Sequence, residues 1–460
     1  MKKEAMVLSL TLLLLILSCT PTEDIPAQKE AVPLEGQKES STSNPQPKSN
    51  DIPAESKEGA TAPQEIVETT KTPVGKQEEF DLIFPTLTYD GAYNGPLYGT
   101  SEQVGTTSMS SYFQNLDRNG ISFFIGMFPI FGEPKIDSLV SHQGLGYVID
   151  AVQKKPLRII PFFNPGIGGE EVEKYLGGTL VEWYTKTLAA SRTITGSSFI
   201  RGLGEVETHE WTVRHNDQKV LQLVDLAQAN QINFMFHPVA EKIGDVKKMI
   251  EAYPQTIFLI HMYREDLAKS QNELIALLKE HDNFYFSIDA AHILHIDGDV
   301  IYEFDSADKN AAIKKFVSYY DSNEKIMINN AINAYKPLVD AVPEKVTWGT
   351  EIGPEYAFDP EVFDRAVKAS RLVIAGFAAD SQEAVAYRNA LRVFGTGVQA
   401  DTNIKVIDTS AWPECTADKI SNCDENCGNA GDENLPDADD CLVKCTIELE
   451  CREVPEMDVG

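Results

Sequence analysis

From Phe80 onward the chain alternates short apolar runs with amphipathic stretches. The apolar runs cover residues 81–87, 121–128, 157–163, 199–205, 232–237, 256–262, 284–289 and 345–350. Each carries little internal polarity, the pattern of strands buried on both faces of a parallel sheet. Between them the period changes to that of a helix. Val220, Leu223, Val224 and Ala227 recur at i, i+3, i+4 and i+7, and Leu267, Leu274, Ile275 and Leu278 share one helical face. Asp359-Pro360 offers an N-cap and a first-turn proline ahead of Phe363, Ala366 and Val367. Strands alternating with helices in this way predict an α/β fold, a (β/α)8 TIM barrel over residues 79–400. A doubly wound open sheet is the alternative, disfavoured because no Gly-rich phosphate loop follows the first run.

Ahead of this body the pattern is different. Lys2 and Lys3 precede an apolar run from Val7 to Leu17, too short for a permanent membrane span and read as a signal peptide over residues 1–18. The run ends Ile16-Leu17-Ser18-Cys19, which resembles the lipobox of bacterial lipoproteins. That resemblance implies lipidation of Cys19 and a lipid-anchored protein of the cell envelope. Thr20 is not the Asp that retains lipoproteins at an inner membrane in organisms using that rule, so the outer membrane is preferred. Residues 20–78 contain no aromatic residue and are rich in Pro, Ser, Thr, Glu, Lys and Gln. Such a segment buries too little apolar surface to offset its chain entropy, and residues 19–78 are expected to form a disordered tether. Its r.m.s. reach would be roughly 40 Å.

Charge narrows the partners. The formal net charge is −30, which argues against nucleic acid, since phosphate binding needs a basic face. Much of the acidity lies in a tail over residues 401–460, which also carries Cys415, Cys423, Cys427, Cys441, Cys445 and Cys451. In an oxidising compartment these read as disulfides rather than a zinc site. The two Cys-x-x-x-Cys pairs each fall on one helix face. Two antiparallel helices stapled together would pair Cys423 with Cys445 and Cys427 with Cys441, with Cys415–Cys451 closing the base. The spacing resembles the helical-hairpin disulfide mini-domains, and other connectivities remain open.

In a (β/α)8 barrel the chemistry sits at the C-terminal strand ends. Here those ends read Thr86-Leu87-Thr88-Tyr89-Asp90 after the first run, Gly204-Glu205 after the fourth, His237 after the fifth, His261 after the sixth, Asp289 after the seventh and Thr350-Glu351 after the eighth. A lone histidine at the end of an apolar run is ordinarily a core or rim residue. Two at successive strand ends, with a carboxylate before and another at the last strand, form a constellation that holds zinc or a similar ion and activates water.

The order Gly-Glu, strand-terminal His, second strand-terminal His and Trp-Gly-Thr-acid resembles the amidohydrolase-related family of metal-dependent hydrolases. Asn389-Ala390-Leu391-Arg392-Val393-Phe394-Gly395 resembles its closing helix. The resemblance implies that His237 is a metal ligand from strand five, that His261 aids catalysis by polarising a substrate carbonyl, and that Glu205 matches the strand-four Gly-Glu. Two departures stand out. The family's first-strand His-x-His pair aligns with Thr86-Leu87-Thr88, and threonine hydroxyls are poor zinc ligands beside imidazoles. The closing Asp is Glu351, one methylene longer, which would hold the ion and take the proton of its water. Asp90, His209, His292 and His295 are candidates to refill the site.

The expected function is hydrolysis of a C–N, ester or lactone bond in a small molecule, with a divalent metal, zinc foremost, or none. A catalytically inactive ligand-binding barrel and a surface scaffold are the alternatives. Arg201, Tyr263 and Arg264 are noted as groups that could hold an acidic substrate, against the plainer reading of solvated loop residues. The oligomeric state is open.

Overall fold

In a computed structural model the described residues are 81–104, 109–129, 151–152, 155–164, 176–195, 199–294, 301, 304, 306 and 308–397. Cys19, the tether over 19–78 and the cysteine tail from 401, with its three expected disulfides, lie outside them, as does His295. Eight parallel strands close into a barrel in sequential order. They are β1 (Leu97–Gln103), β2 (Ile121–Pro129), β3 (Ile159–Asn164), β4 (Gly202–Val206), β5 (Asn233–Phe236), β6 (Phe258–Ile260), β7 (Phe284–Asp289) and β8 (Val346–Gly349). Closure is by Gly99 of β1 against Trp348 of β8, which rules out the open sheet.

Helices return the chain from β1 to β2 and from each strand from β3 onward to the next. Those described are α1 (Met109–Arg118), α2 (Gly178–Thr195), α3 (Gln218–Ala229), α4 (Ile243–Ala252), α5 (Arg264–Glu280), α6 (Ala290–Ile293), α7 (Lys309–Ala341), α8 (Pro360–Ala375), α9 (Ala379–Glu383) and α10 (Asn389–Phe394). Their starts follow local chemistry. The Asp359 carboxylate accepts from Glu361 N at 2.9 Å with Pro360 at the first helical position, the cap read from the sequence. Asp217 caps α3 and Asp308 caps α7 in the same way.

Strand side chains alternate between two cores. Phe124, Phe128, Phe163, Phe234, Phe236, Phe286 and Trp348 face the helices. Phe123, Ile125, Met127, Ile160, Phe162, Met235, Leu259 and Tyr285 fill the barrel interior. Leu391, Phe394 and Leu82 pack against this inner set, and the Tyr98 hydroxyl donates to Gly395 O at 2.9 Å, so α10 closes the N-terminal end. The interior then turns polar towards the opposite end. Thr100 is hydrogen-bonded to Ser287 and Thr347 at 2.9 and 3.0 Å.

The first strand differs from its expected place. Residues 81–87 form no strand; Ile83 N donates to the Ser122 hydroxyl and Thr86 N to Arg118 O, which fixes the segment beside the start of β2, at the barrel base. The strand is Leu-Tyr-Gly-Thr-Ser-Glu-Gln, almost wholly buried although half of it is polar. Its polar side chains bond to β7, β8 and α1 rather than to water, so an apolar-run criterion passes over it. Asp90 is thereby corrected too. It lies in an exposed turn ahead of β1, at the base, and cannot join a cluster at the mouth.

Candidate active site

Five successive strand ends, β4 to β8, each deliver a group to the same point. Glu205 is the penultimate residue of β4, His237 follows β5, His261 follows β6, Asp289 ends β7 and Glu351 lies two residues beyond β8. All are buried, His261 and Asp289 completely. His261 stands at the centre. Its Nε2 is 2.5 Å from Glu205 Oε1, and its Nδ1 is 2.6 Å from Asp289 Oδ2 and 3.0 Å from Glu351 Oε2. His237 Nδ1 lies 3.6 Å from Glu205 Oε1, beyond hydrogen-bond reach.

The charges follow from this packing. Burial works against a proton on His261, but Glu205, Glu351 and Asp289 outweigh it and hold the ring well above the usual imidazole range. Burial would raise Glu205 and Asp289, yet the His261 cation keeps both below the ordinary carboxylate range. Glu351 goes the other way: burial pushes its carboxyl well up, despite His261 beside it. Burial also lowers His237, against the pull of Glu205, and lowers His292 further. These two rings are neutral and keep lone pairs.

A supporting layer fixes the cluster. Asp289 Oδ1 accepts from the hydroxyls of Ser101 and Ser287, the latter at 2.7 Å. Both its oxygens are therefore engaged, and its remaining role is to orient His261. Glu102 turns away from the mouth. Its carboxylate accepts from Thr350 N at 3.0 Å, from the Thr350 hydroxyl at 2.6 Å and from the Tyr112 hydroxyl at 2.6 Å. Burial pushes the Glu102 carboxyl up to about 7 against these bonds. Next door, Glu351 N donates to Ser101 O at 2.7 Å. Glu351 has φ of 51°, a left-handed conformation rare for a non-glycine residue and found where surroundings enforce it.

The donor atoms of Glu205, His237, His261 and Glu351 all lie within 4.8 Å of one another. Within that group the buried His237 Nε2 and Glu351 Oε2 have no hydrogen-bond partner. The imidazole nitrogen has no partner and the carboxylate oxygen meets His261 and His292 only as close, unaligned contacts; both are desolvated and costly unless something else engages them. Their chemistry, with His261 and Glu205, fits a divalent cation that takes mixed nitrogen and oxygen ligands.

The sequence-predicted residues Glu205, His237, His261 and Glu351 thus converge. Asp289 and His292, noted at the end of the seventh run, join them. Ser101, Glu102 and Tyr112 had no visible role, because the first strand was expected elsewhere; a short polar run beginning Leu97-Tyr98 directly ahead of α1 is the signal that marks it. Arg201 sits at the entrance of β4, away from the mouth: its N donates to Pro161 O and its O accepts from Asn233 N. Arg264 opens α5 and is buried rather than solvated. His209 and Tyr263 place their rings 4.2 and 4.7 Å from that of His237.

No protein-family model and no curated protein matches the sequence. Among solved structures, the chain is similar to a protein from Acinetobacter baumannii described as a probable 2-pyrone-4,6-dicarboxylic acid hydrolase with citric acid bound, at 11% identity over 65% of this chain and 99% of that one, TM-score 0.40. It is similar to an amidohydrolase from Burkholderia multivorans with bound zinc, at 10% identity over 66% and 100% of the two chains, TM-score 0.39. A third is 5-carboxyvanillate decarboxylase from Novosphingobium aromaticivorans complexed with manganese, at 11% identity over 68% and 98%, TM-score 0.37. These neighbours are amidohydrolase-superfamily barrel enzymes.

Proposed function

We propose that this chain is a metal-dependent hydrolase of a C–N, ester or lactone bond in a small molecule, exported and lipid-anchored at Cys19. One observation carries the catalytic part: at the barrel mouth, buried imidazoles and carboxylates crowd together while His237 Nε2 and Glu351 Oε2 have no hydrogen-bond partner. Export and anchoring rest on the apolar run ending at Ser18-Cys19.

Glu205, His237, His261 and Glu351 would hold the ion, zinc foremost, whose charge would displace the Nε2 proton of His261 and the proton of Glu351. Zinc in such a donor set lowers the pKa of a water and polarises a carbonyl. His261 gives its Nδ1–H to Asp289, the arrangement by which a carboxylate fixes the tautomer of a ligating histidine. Its part is then at the ion, not on the substrate carbonyl as the sequence alone suggests. Glu351 is the proton carrier: it takes a proton from water and returns it to the leaving group. Its clamped backbone keeps that carboxylate in place while the proton moves.

The test is metal content by plasma emission on the full chain prepared without chelator, beside His237→Ala with Glu351→Gln. Near-stoichiometric metal, lost in the double variant, with turnover of some amide, ester or lactone, supports the proposal. A metal-free wild type sinks it; metal without any turnover points instead to a binding barrel. Lipidation is read separately, by mass analysis of the mature N-terminus with Cys19→Ala as control.

A further inference from the structure

β1 runs Leu-Tyr-Gly-Thr-Ser-Glu-Gln and contains no histidine. Its one carboxylate, Glu102, is spent on Thr350 and Tyr112. Among the described residues, the β1 side of the mouth therefore lacks an imidazole. Two strands round from it, after β7, stands one that the donor set above does not use.

His292 is 4% exposed, and its Nε2 lies 3.2 Å from Glu351 Oε2. Its ring centroid is 5.6 Å from that of His261 and 5.8 Å from that of His237. Its Nδ1 is buried without a hydrogen-bond partner, and its other nitrogen, Nε2, meets Glu351 Oε2 as a close contact without an aligned hydrogen bond to that oxygen. A buried imidazole with one nitrogen unpartnered is left to be satisfied by something else.

The placement is built into the backbone. His292 belongs to α6, whose Ala291 N donates to Thr350 O at 3.0 Å. Thr350 gives its own N–H and O–H to Glu102. His292 and Glu351 thus flank a residue clamped from two sides. The donor atoms of His261, Asp289, His292 and Glu351 lie within 4.8 Å of one another. In that group Asp289 is engaged by Ser101, Ser287 and His261, whereas Glu351 Oε2 meets His261 and His292 only as close contacts.

We propose that His292 is a metal ligand of this mouth, joining Glu351 on the β7–β8 side and supplying the imidazole that β1 does not. The inference rests on the metal-dependent reading above. It also chooses among the described residues the sequence left open. Asp90 lies at the base of the barrel, and the half-buried His209 has its ring 4.2 Å from that of His237. Three imidazoles beside two carboxylates select zinc, cobalt or a similar ion over magnesium or calcium.

The experiment uses the full chain. Zinc affinity is measured by competition with a chromophoric chelator, and the cobalt(II)-loaded protein is read by visible absorption. Wild type, His292→Ala, His292→Gln and Asp90→Asn are compared, with near-ultraviolet circular dichroism confirming folding. Both His292 variants should weaken zinc binding by at least about tenfold and shift the cobalt bands, while Asp90→Asn leaves both unchanged. If the alanine variant fails to fold, the size-preserving glutamine variant decides. Affinity within about threefold of wild type and unchanged cobalt bands overturn the role of His292 but leave the metal-dependent reading intact. Failure of the wild-type chain to bind either ion overturns both.

Discussion

Glu102 offers a quantitative test of the structure that needs no substrate. Its carboxyl is fully buried and raised from 4.5 to about 7, burial outweighing the hydrogen bonds from Thr350 and Tyr112. An acid whose folded pKa is raised holds its proton longer in the folded state than in the unfolded one. The stability it contributes is fully present below pH 4.5 and is lost as pH rises through 7. The shift corresponds to roughly 3 kcal/mol, a sizeable share of a net folding stability of about 5–15 kcal/mol. Glu102→Gln removes the titration while keeping the shape. One amide oxygen can still accept from Thr350 N, and the Thr350 and Tyr112 hydroxyls can turn to accept from the amide NH2. Unfolding free energies of wild type and variant, from guanidinium titrations followed by tryptophan fluorescence, should be compared at intervals from pH 4.5 to 8. The difference between them should move by roughly 3 kcal/mol in favour of the variant across that window. All other titrating groups are common to both proteins and cancel. A difference that stays constant with pH would refute the burial of Glu102 and the clamp built on it.

Three further outcomes follow from single residues. His215 is buried against Phe236 and its imidazole is lowered to about 3 by burial, so the stability tied to its neutral form is present above pH 6.5 and lost below it, at roughly 1.4 kcal/mol per pH unit; His215→Phe should flatten the acid limb of the stability profile, and an unchanged limb would count against it. Asp289→Asn would present an NH2 or forfeit a serine bond where the carboxylate now serves Ser101, Ser287 and His261, mis-setting the His261 tautomer; zinc affinity should fall by about 10–100-fold by chelator competition with little loss of melting temperature. A Cβ at Gly349 would collide with the Ser101 hydroxyl and press Ser101 N at 2.7 Å and Asp289 Oδ1 at 2.9 Å; Gly349→Ala should cost about 1–3 kcal/mol in chemical denaturation and weaken metal binding with it, and a neutral substitution would show that the strand end is not packed as described.

The alternation of apolar runs was enough to place β2 through β8, because each is buried on both sides and is therefore mostly apolar. The same logic failed at β1. Thr100, Ser101 and Glu102 are as buried as any residue of the core, but they satisfy one another and their neighbours across the barrel, and that can be seen only when β7 and β8 are in place. The error carried over to Asp90, which inherited a mouth position from a strand that is not there. His237, His261, Glu205 and Glu351 were legible because strand ends in a barrel converge by topology. The separate duties of Asp289 and His292 were not, since both lie at the end of β7 or just past it and only distances distinguish an orienting carboxylate from a second imidazole facing Glu351.

The plug formed by α10 gives the barrel a direction. Leu82 packs beside Leu391 and Phe394 beneath the interior, and a Cβ at Gly397 would meet the backbone of Leu157, just ahead of β3. The described chain therefore enters and leaves through the sealed floor, while every ionisable group of the cluster opens towards the roof. Whatever is joined before residue 81 or after residue 397 is attached at the floor, at the end of the barrel opposite the buried cluster. Traction through either end bears on the floor before it reaches the strand ends that hold the cluster.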